Sequence, residues 1–107
     1  PNSMRAALEN LHELEGTGKV VILGDMFELG NSAEKEHQII ADLASSLDVG
    51  TVFLIGNHFH TVKAHHNRFR TFEDFKNYFK GHRLPEKSTL LIKGSRGMAL
   101  ERILKIL

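Results

Sequence analysis

A chain of 107 residues, 41% hydrophobic and 25% charged, carries enough apolar material for one core, which excludes both intrinsic disorder and a multi-domain array. A formal charge of +1 at pH 7 gives no field to recruit nucleic acid or a membrane surface, and the lack of Cys removes disulfides and thiolate chemistry and fits a reducing compartment. No apolar run approaches the roughly 20 residues of a membrane span, and the opening residues show no signal-peptide pattern.

In chain order, Asn2 or Ser3 is placed to cap a helix running to about Leu14, with Met4, Ala7, Leu8, Leu11 and Leu14 on one face. Gly16-Thr17-Gly18 breaks it, and Val20-Val21-Ile22-Leu23 follows as a strand ending at Gly24. Continuous rather than alternating apolarity implies burial on both faces, as in a parallel sheet. Ser32 is placed to cap a helix over Ala33–Leu47, whose inward stripe is His37, Ile40, Leu43, Ala44 and Leu47. A second buried strand spans Thr51–Ile55 and ends at Gly56. Residues 57–67 hold four of the seven His and admit a short helix, while residues 68–70 admit a short strand. Thr71 caps a helix over Phe72–Phe79, with Phe72, Phe75 and Phe79 on one face as core packing. Residues 81–87 read as a loop, residues 89–92 as a strand, and residues 98–107 as a final, largely apolar helix.

Alternation of strands and helices predicts βαβ units with right-handed crossovers, hence an α/β, Rossmann-like three-layer domain with a mainly parallel sheet flanked by helices. Ligands of such sheets bind outside the carboxyl ends of the strands. The unusual polar residues of this chain fall at those ends. Asp25 and Glu28 lie in the Gly-bounded loop after the first strand. They suit an ammonium group, a ribose or a magnesium ion if they point outward, or one of them caps nearby N–H groups. His37 reads either as a partly buried residue hydrogen-bonded to the preceding loop or as a ligand contact. Lys93-Gly94-Ser95-Arg96-Gly97 breaks from strand into helix and suits a carboxylate or phosphate, although a solvated strand-to-helix turn has the same composition. His58, His60, His65 and His66 crowd into nine residues without the paired spacing of a structural zinc site, so no metal is assigned to them. Gly94-Ser95-Arg96-Gly97 is one residue short of a nucleophile elbow, and no catalytic residue is assigned.

Taken together, Pro1-Asn2-Ser3-Met4, the run Gly24-Asp25-Met26-Phe27-Glu28-Leu29-Gly30 with His37 following, and Lys93-Gly94-Ser95-Arg96-Gly97-Met98 with Glu101 resemble the carboxy-terminal domain of the Mur ligase family. The resemblance spans the whole chain. It implies one domain, 1–107, cut from a longer three-domain bacterial enzyme of the cytoplasm whose other parts are a UDP-binding domain and a central ATPase domain. It implies substrate-binding roles for Asp25, Glu28, His37, Lys93, Gly94, Ser95 and Arg96, and a nucleotide-side role for Asn2 and Ser3. ATP and Mg²⁺ would serve the full-length enzyme, with neither bound by this piece alone. The substrates implied are D-alanyl-D-alanine and UDP-N-acetylmuramoyl-tripeptide of peptidoglycan synthesis, with no nucleic acid and no membrane. A polyglutamate-adding ligase, or a self-standing anion- or nucleotide-binding module, is the alternative. The family's phosphate loop and magnesium ligands have no counterpart here, so the piece alone is expected to be inactive.

Overall fold

Apolar strands with no polar face need cover on both sides, and helices supply it. The computed structural model describes residues 2–14, 18–27, 29–47, 49–64, 66–81, 89–94, 100 and 102. Their elements run α1 (Asn2–Glu13), β1 (Lys19–Gly24), α2 (Ala33–Leu47), β2 (Thr51–Ile55), α3 (Asn57–Thr61), β3 (Asn67–Phe69), α4 (Phe72–Phe79) and β4 (Thr89–Lys93). The sheet has the order β3-β2-β1-β4, and every neighbouring pair is parallel. β1 lies at the centre, with Val20 opposite Thr51 on one side and Leu90 on the other.

Side chains alternate across the strands, so each strand feeds two cores. Val21, Leu23, Val52 and Leu54 join Met4, Leu8, Leu11, Ile40, Ala44 and Phe59 on the face covered by α1, α2 and α3. Val20, Ile22, Phe53 and Ile55 join Phe75 and Leu100 on the opposite face, flanked by Phe69, Phe72, Tyr78 and Phe79. That second core is aromatic: Phe75 meets Phe79 edge-on at 4.7 Å between centroids, and Phe53 lies 5.7 Å from Phe75 and 5.6 Å from Phe79. Edge-to-face pairs add about 0.5–1.5 kcal/mol each beyond the area they bury.

The α/β, three-layer expectation holds, and local differences have physical causes. Asn2 and Ser3 already lie inside α1 rather than capping it. Ser32 is not a cap either, because a 3-10 turn over Gly30–Ser32 leads directly into α2. Thr71 caps as expected, its Oγ1 accepting from the Asp74 N–H at 3.1 Å. The short strand lies one residue earlier than the composition suggested, at Asn67–Phe69, which aligns Phe69 with Ile55. The loop at 81–87 beyond Gly81 and the final helix at 98–107, apart from Leu100 and Arg102, lie outside the described residues. Among the described residues, no helix is long and apolar enough to cross a membrane.

Candidate functional site

The carboxyl ends of β1, β2 and β4 share one edge of the sheet, as parallel pairing requires. The order of the strands reverses direction between β1 and β4, which makes that seam the switch point where open α/β sheets admit ligands. The seam is tight and lined by backbone. A Cβ built on Gly94 would lie 3.0 Å from the Gly24 Cα and 3.0 Å from a Leu100 methyl group, so only glycine lets the two chain segments approach this closely. Lys93, half-buried at the end of β4, is the cation nearest the seam among the described residues of that strand.

Asp25 follows β1 directly and is only 3% exposed. Its Oδ2 accepts from the His58 N–H and its Oδ1 from the Phe59 N–H, each at 2.9 Å. These are donors of the first turn of α3, which has no cap from its own flanking side chains. A five-residue helix cannot stand on its own hydrogen bonds, so a carboxylate from another element does the capping. Gly56 makes room for it. Its φ of +132° suits glycine, and a Cβ there would fall 2.2 Å from the Asp25 Cγ. The Asp25 N–H donates to the Ile55 carbonyl at 3.1 Å and the Gly56 N–H to the Phe69 carbonyl at 2.8 Å, so the edge is stitched from β1 through β2 to β3.

His37 is completely buried, one turn into α2. Its Nε2 accepts from the Met26 N–H at 2.9 Å, so that nitrogen carries no proton, and Nδ1–H donates to the Ala33 carbonyl at 2.6 Å. This is a neutral imidazole with both ring nitrogens used. Asp25 Oδ1 lies 3.7 Å from Nε2, yet the Met26 N–H already occupies that nitrogen's lone pair, so the two do not form an ion pair. The ring stacks on His58 at 4.8 Å between centroids and meets the Phe59 ring edge-on at 4.7 Å. Burial pushes the imidazole below its ordinary value, against the opposing pull of the Ala33 carbonyl and Asp25.

The structure therefore places the expected site residues in three groups. Asp25 and His37 come together, but they face inward with their polar atoms satisfied; the outward-pointing Asp25 that the loop pattern allowed is not what forms. Lys93 and exposed Gly94 stand at the seam, and exposed Ser3 lies in the first turn of α1. Glu28, Ser95 and Arg96 lie outside the described residues, as does the side chain of Asn2. His58, which the sequence places at the carboxyl end of β2 without assigning it a role, is exposed and lines a groove of about 430 Å³ with Gly30, Asn31, Ala33, Glu34 and Thr61 beside the loop that follows β1. The signal available was Gly56-Asn57-His58 at the end of an apolar strand. His66 is spent elsewhere, its Nε2 2.8 Å from the Ser45 Oγ. Among the described residues, no group of three His, Asp or Glu side chains is arranged to hold a metal ion.

Comparison with known proteins adds an independent line. The family model described as Mur ligase, glutamate ligase domain, matches residues 1–96. A UDP-N-acetylmuramoyl-tripeptide–D-alanyl-D-alanine ligase of Buchnera aphidicola is 32% identical over 97% of this chain and 24% of its own length. The ligase of the same name from Bacillus subtilis is 33% identical over 98% of this chain and 25% of its own length. The chain thus spans about a quarter of the length of the curated relatives it matches. Among solved structures, MurF ligase from Thermotoga maritima in complex with ADP superposes over 99% of this chain and 25% of that one, with a TM-score of 0.79 at 23% identity, a likeness of fold.

Proposed function

The chain belongs to the Mur ligase family, and we propose that it is the carboxy-terminal domain of a cytoplasmic bacterial ligase that joins D-alanyl-D-alanine to UDP-N-acetylmuramoyl-tripeptide in peptidoglycan synthesis. The observation that carries this reading is the alignment of nearly the whole chain with ligases named for that substrate pair. A polyglutamate-adding ligase or a self-standing anion- or nucleotide-binding module has no comparable support.

In this reading the domain is a substrate-side lid over an ATP site held by a central domain of the same polypeptide, with a UDP-binding domain beyond. There the tripeptide carboxylate would be phosphorylated by ATP with release of ADP, Mg²⁺ serving the phosphates, and the dipeptide amine would displace inorganic phosphate from the acyl phosphate and lose a proton to give the amide. This chain does not fit the role of holding the metal and phosphates. It has no G-x-x-x-x-G-K-[ST] loop, and the Asp25 carboxylate is committed to the α3 amides. Its own part is binding and orientation. Lys93 and the Gly94 backbone bind the dipeptide carboxylate, a role also assigned to Ser95 and Arg96, which follow in sequence, and Glu28 is assigned to its amine end. Asp25 and His37 fix the backbone of that edge, and Asn2 and Ser3 stand on the nucleotide side.

Steady-state kinetics of the full-length polypeptide test this. Arg96→Ala, and separately Lys93→Ala, should raise the KM for D-alanyl-D-alanine roughly ten- to a hundredfold, the loss of about 1.5–3 kcal/mol expected for one charge-assisted contact. The KM for ATP should change much less. An unchanged dipeptide KM in both folded variants removes the seam from the site. The isolated domain should fold and hydrolyse no ATP above a heat-inactivated control.

A further inference from the structure

We propose that His37 is a positioning residue for the loop after β1, holding its first peptide group in place through Nε2 and doing so only as the neutral imidazole. The proposal rests on the ligase reading for what the loop presents, but its geometry is independent of that reading. Three elements meet at this ring. Met26 of the loop donates to Nε2, Ala33 at the start of α2 accepts from Nδ1–H, and of α3 His58 stacks on the ring while Phe59 meets it edge-on. Asp25, next in chain to Met26, pins the same α3 turn. Loop, α2 and α3 are therefore joined by one buried polar unit, in which His37 Nε2 accepts from the Met26 N–H.

A second proton on the ring would turn Nε2 from acceptor into donor, leaving the buried Met26 N–H facing another N–H. The groups around the ring work in both directions. Asp25, 3.7 Å away, and Glu36 on the same helix favour the added proton, whereas burial and the stacked His58 oppose it, and burial is the largest cause. Release of Met26 frees the segment leading to Glu28 and Gly30, the side of the site assigned to the amine end of the dipeptide.

Full-length enzyme carrying His37→Phe or His37→Gln decides the matter. Phenylalanine keeps an aromatic ring, though a larger one, and removes both hydrogen bonds, while the Gln Oε1 can accept from Met26 and does not titrate. His37→Phe should raise the KM for D-alanyl-D-alanine about tenfold or more and leave the KM for ATP within about twofold, since one buried donor loses its partner. His37→Gln should stay within about threefold of wild type at pH 8 and should lack the rise in dipeptide KM expected of wild type as pH falls through the His37 value, which burial holds below the ordinary one. An unchanged dipeptide KM in His37→Phe, or an acidic rise preserved in His37→Gln, overturns the proposal. Hydrogen–deuterium exchange of the peptide covering residues 26–30 supplies a readout without substrate. Exchange should be about tenfold faster in His37→Phe and near wild type in His37→Gln, and equal exchange in all three proteins overturns the role. If no protein uses the dipeptide while exchange follows the expected order, the ligase reading fails and the positioning role stands.

Discussion

The two faces of the sheet solve different problems with different chemistry. Under α4 the core is aromatic, and its buried members are all apolar: Val20, Ile22, Phe53, Ile55, Phe75 and Leu100. Beneath α1, α2 and α3 the core is mostly aliphatic, and the two buried polar side chains among the described residues, Asp25 and His37, sit at its carboxyl edge. Apolar packing is strong but indifferent to the path of an individual peptide group, whereas a hydrogen bond in a dry site fixes direction. The aromatic face is held by apolar packing. The aliphatic face adds two polar groups that set the conformation of the edge where ligands meet the sheet.

The sharpest way to break this division is to cut into each side. Phe75→Ala should cost about 3–5 kcal/mol by opening a cavity among Phe53, Phe69 and Phe79, read as a lower urea midpoint. Hydrogen exchange of residues 25–30 under native conditions should stay unchanged. Gly56→Ala should cost about 3 kcal/mol, because a side chain at φ +132° is strained and its Cβ lands on the Asp25 carboxylate. Here the damage should concentrate at the edge, with fast exchange at His58 and Phe59, and protection intact in that turn would erase the distinction between the faces. Asp25→Asn should cost about 2 kcal/mol, since the amide keeps one acceptor and turns a donor toward the second N–H of α3.

Acid sharpens the contrast without mutation. The folded-state value of His37 lies below its ordinary value of about 6.5, so the folded state disfavours the proton that the unfolded chain accepts. The stability contributed by neutral His37 is therefore complete above about pH 6.5. It is lost progressively as pH falls from there through the lower folded-state value. Urea midpoints of wild type should fall across that window more steeply than those of His37→Gln, and parallel curves would show that His37 is not the group responsible. The smallest effect belongs to the aromatic side: Thr71→Ala should cost about 1 kcal/mol by removing the cap of α4, equally at pH 5 and pH 8.

What was legible in the sequence follows the same divide. Unbroken apolar runs announced β1, β2 and β4, and the Thr71 cap with its Phe spacing announced α4, because these signals lie within a few residues of what they control. Asp25 was recognisable as unusual, yet its role was not. Its partners are the amides of His58 and Phe59, 33 and 34 positions away, and only the β1–β2 register brings them together. The inward stripe of α2 correctly held His37, and the hydrogen bond to the preceding loop was one of its two readings, but whether a polar residue on an apolar stripe faces a ligand or a peptide group depends on the loop's path. Composition alone does not set that path. The sequence also suggested caps at Asn2 or Ser3 and at Ser32, which local propensity favours, yet the first two lie within α1 and the third within the 3-10 turn that leads into α2.

The central place of β1 has a consequence for how the molecule is made. Its partner on one side, β2, follows after a single helix, but Lys19 pairs with Thr89 on the other. During synthesis at about 5–20 residues per second, β1 therefore waits on the order of 10 s between its own emergence and that of β4. Through that interval Val20, Val21 and Ile22 present an unpaired row of amides and carbonyls on the very strand around which the sheet is organised. The nascent chain thus carries an open edge on the strand that ends up between two partners, and that exposure lasts until β4 arrives.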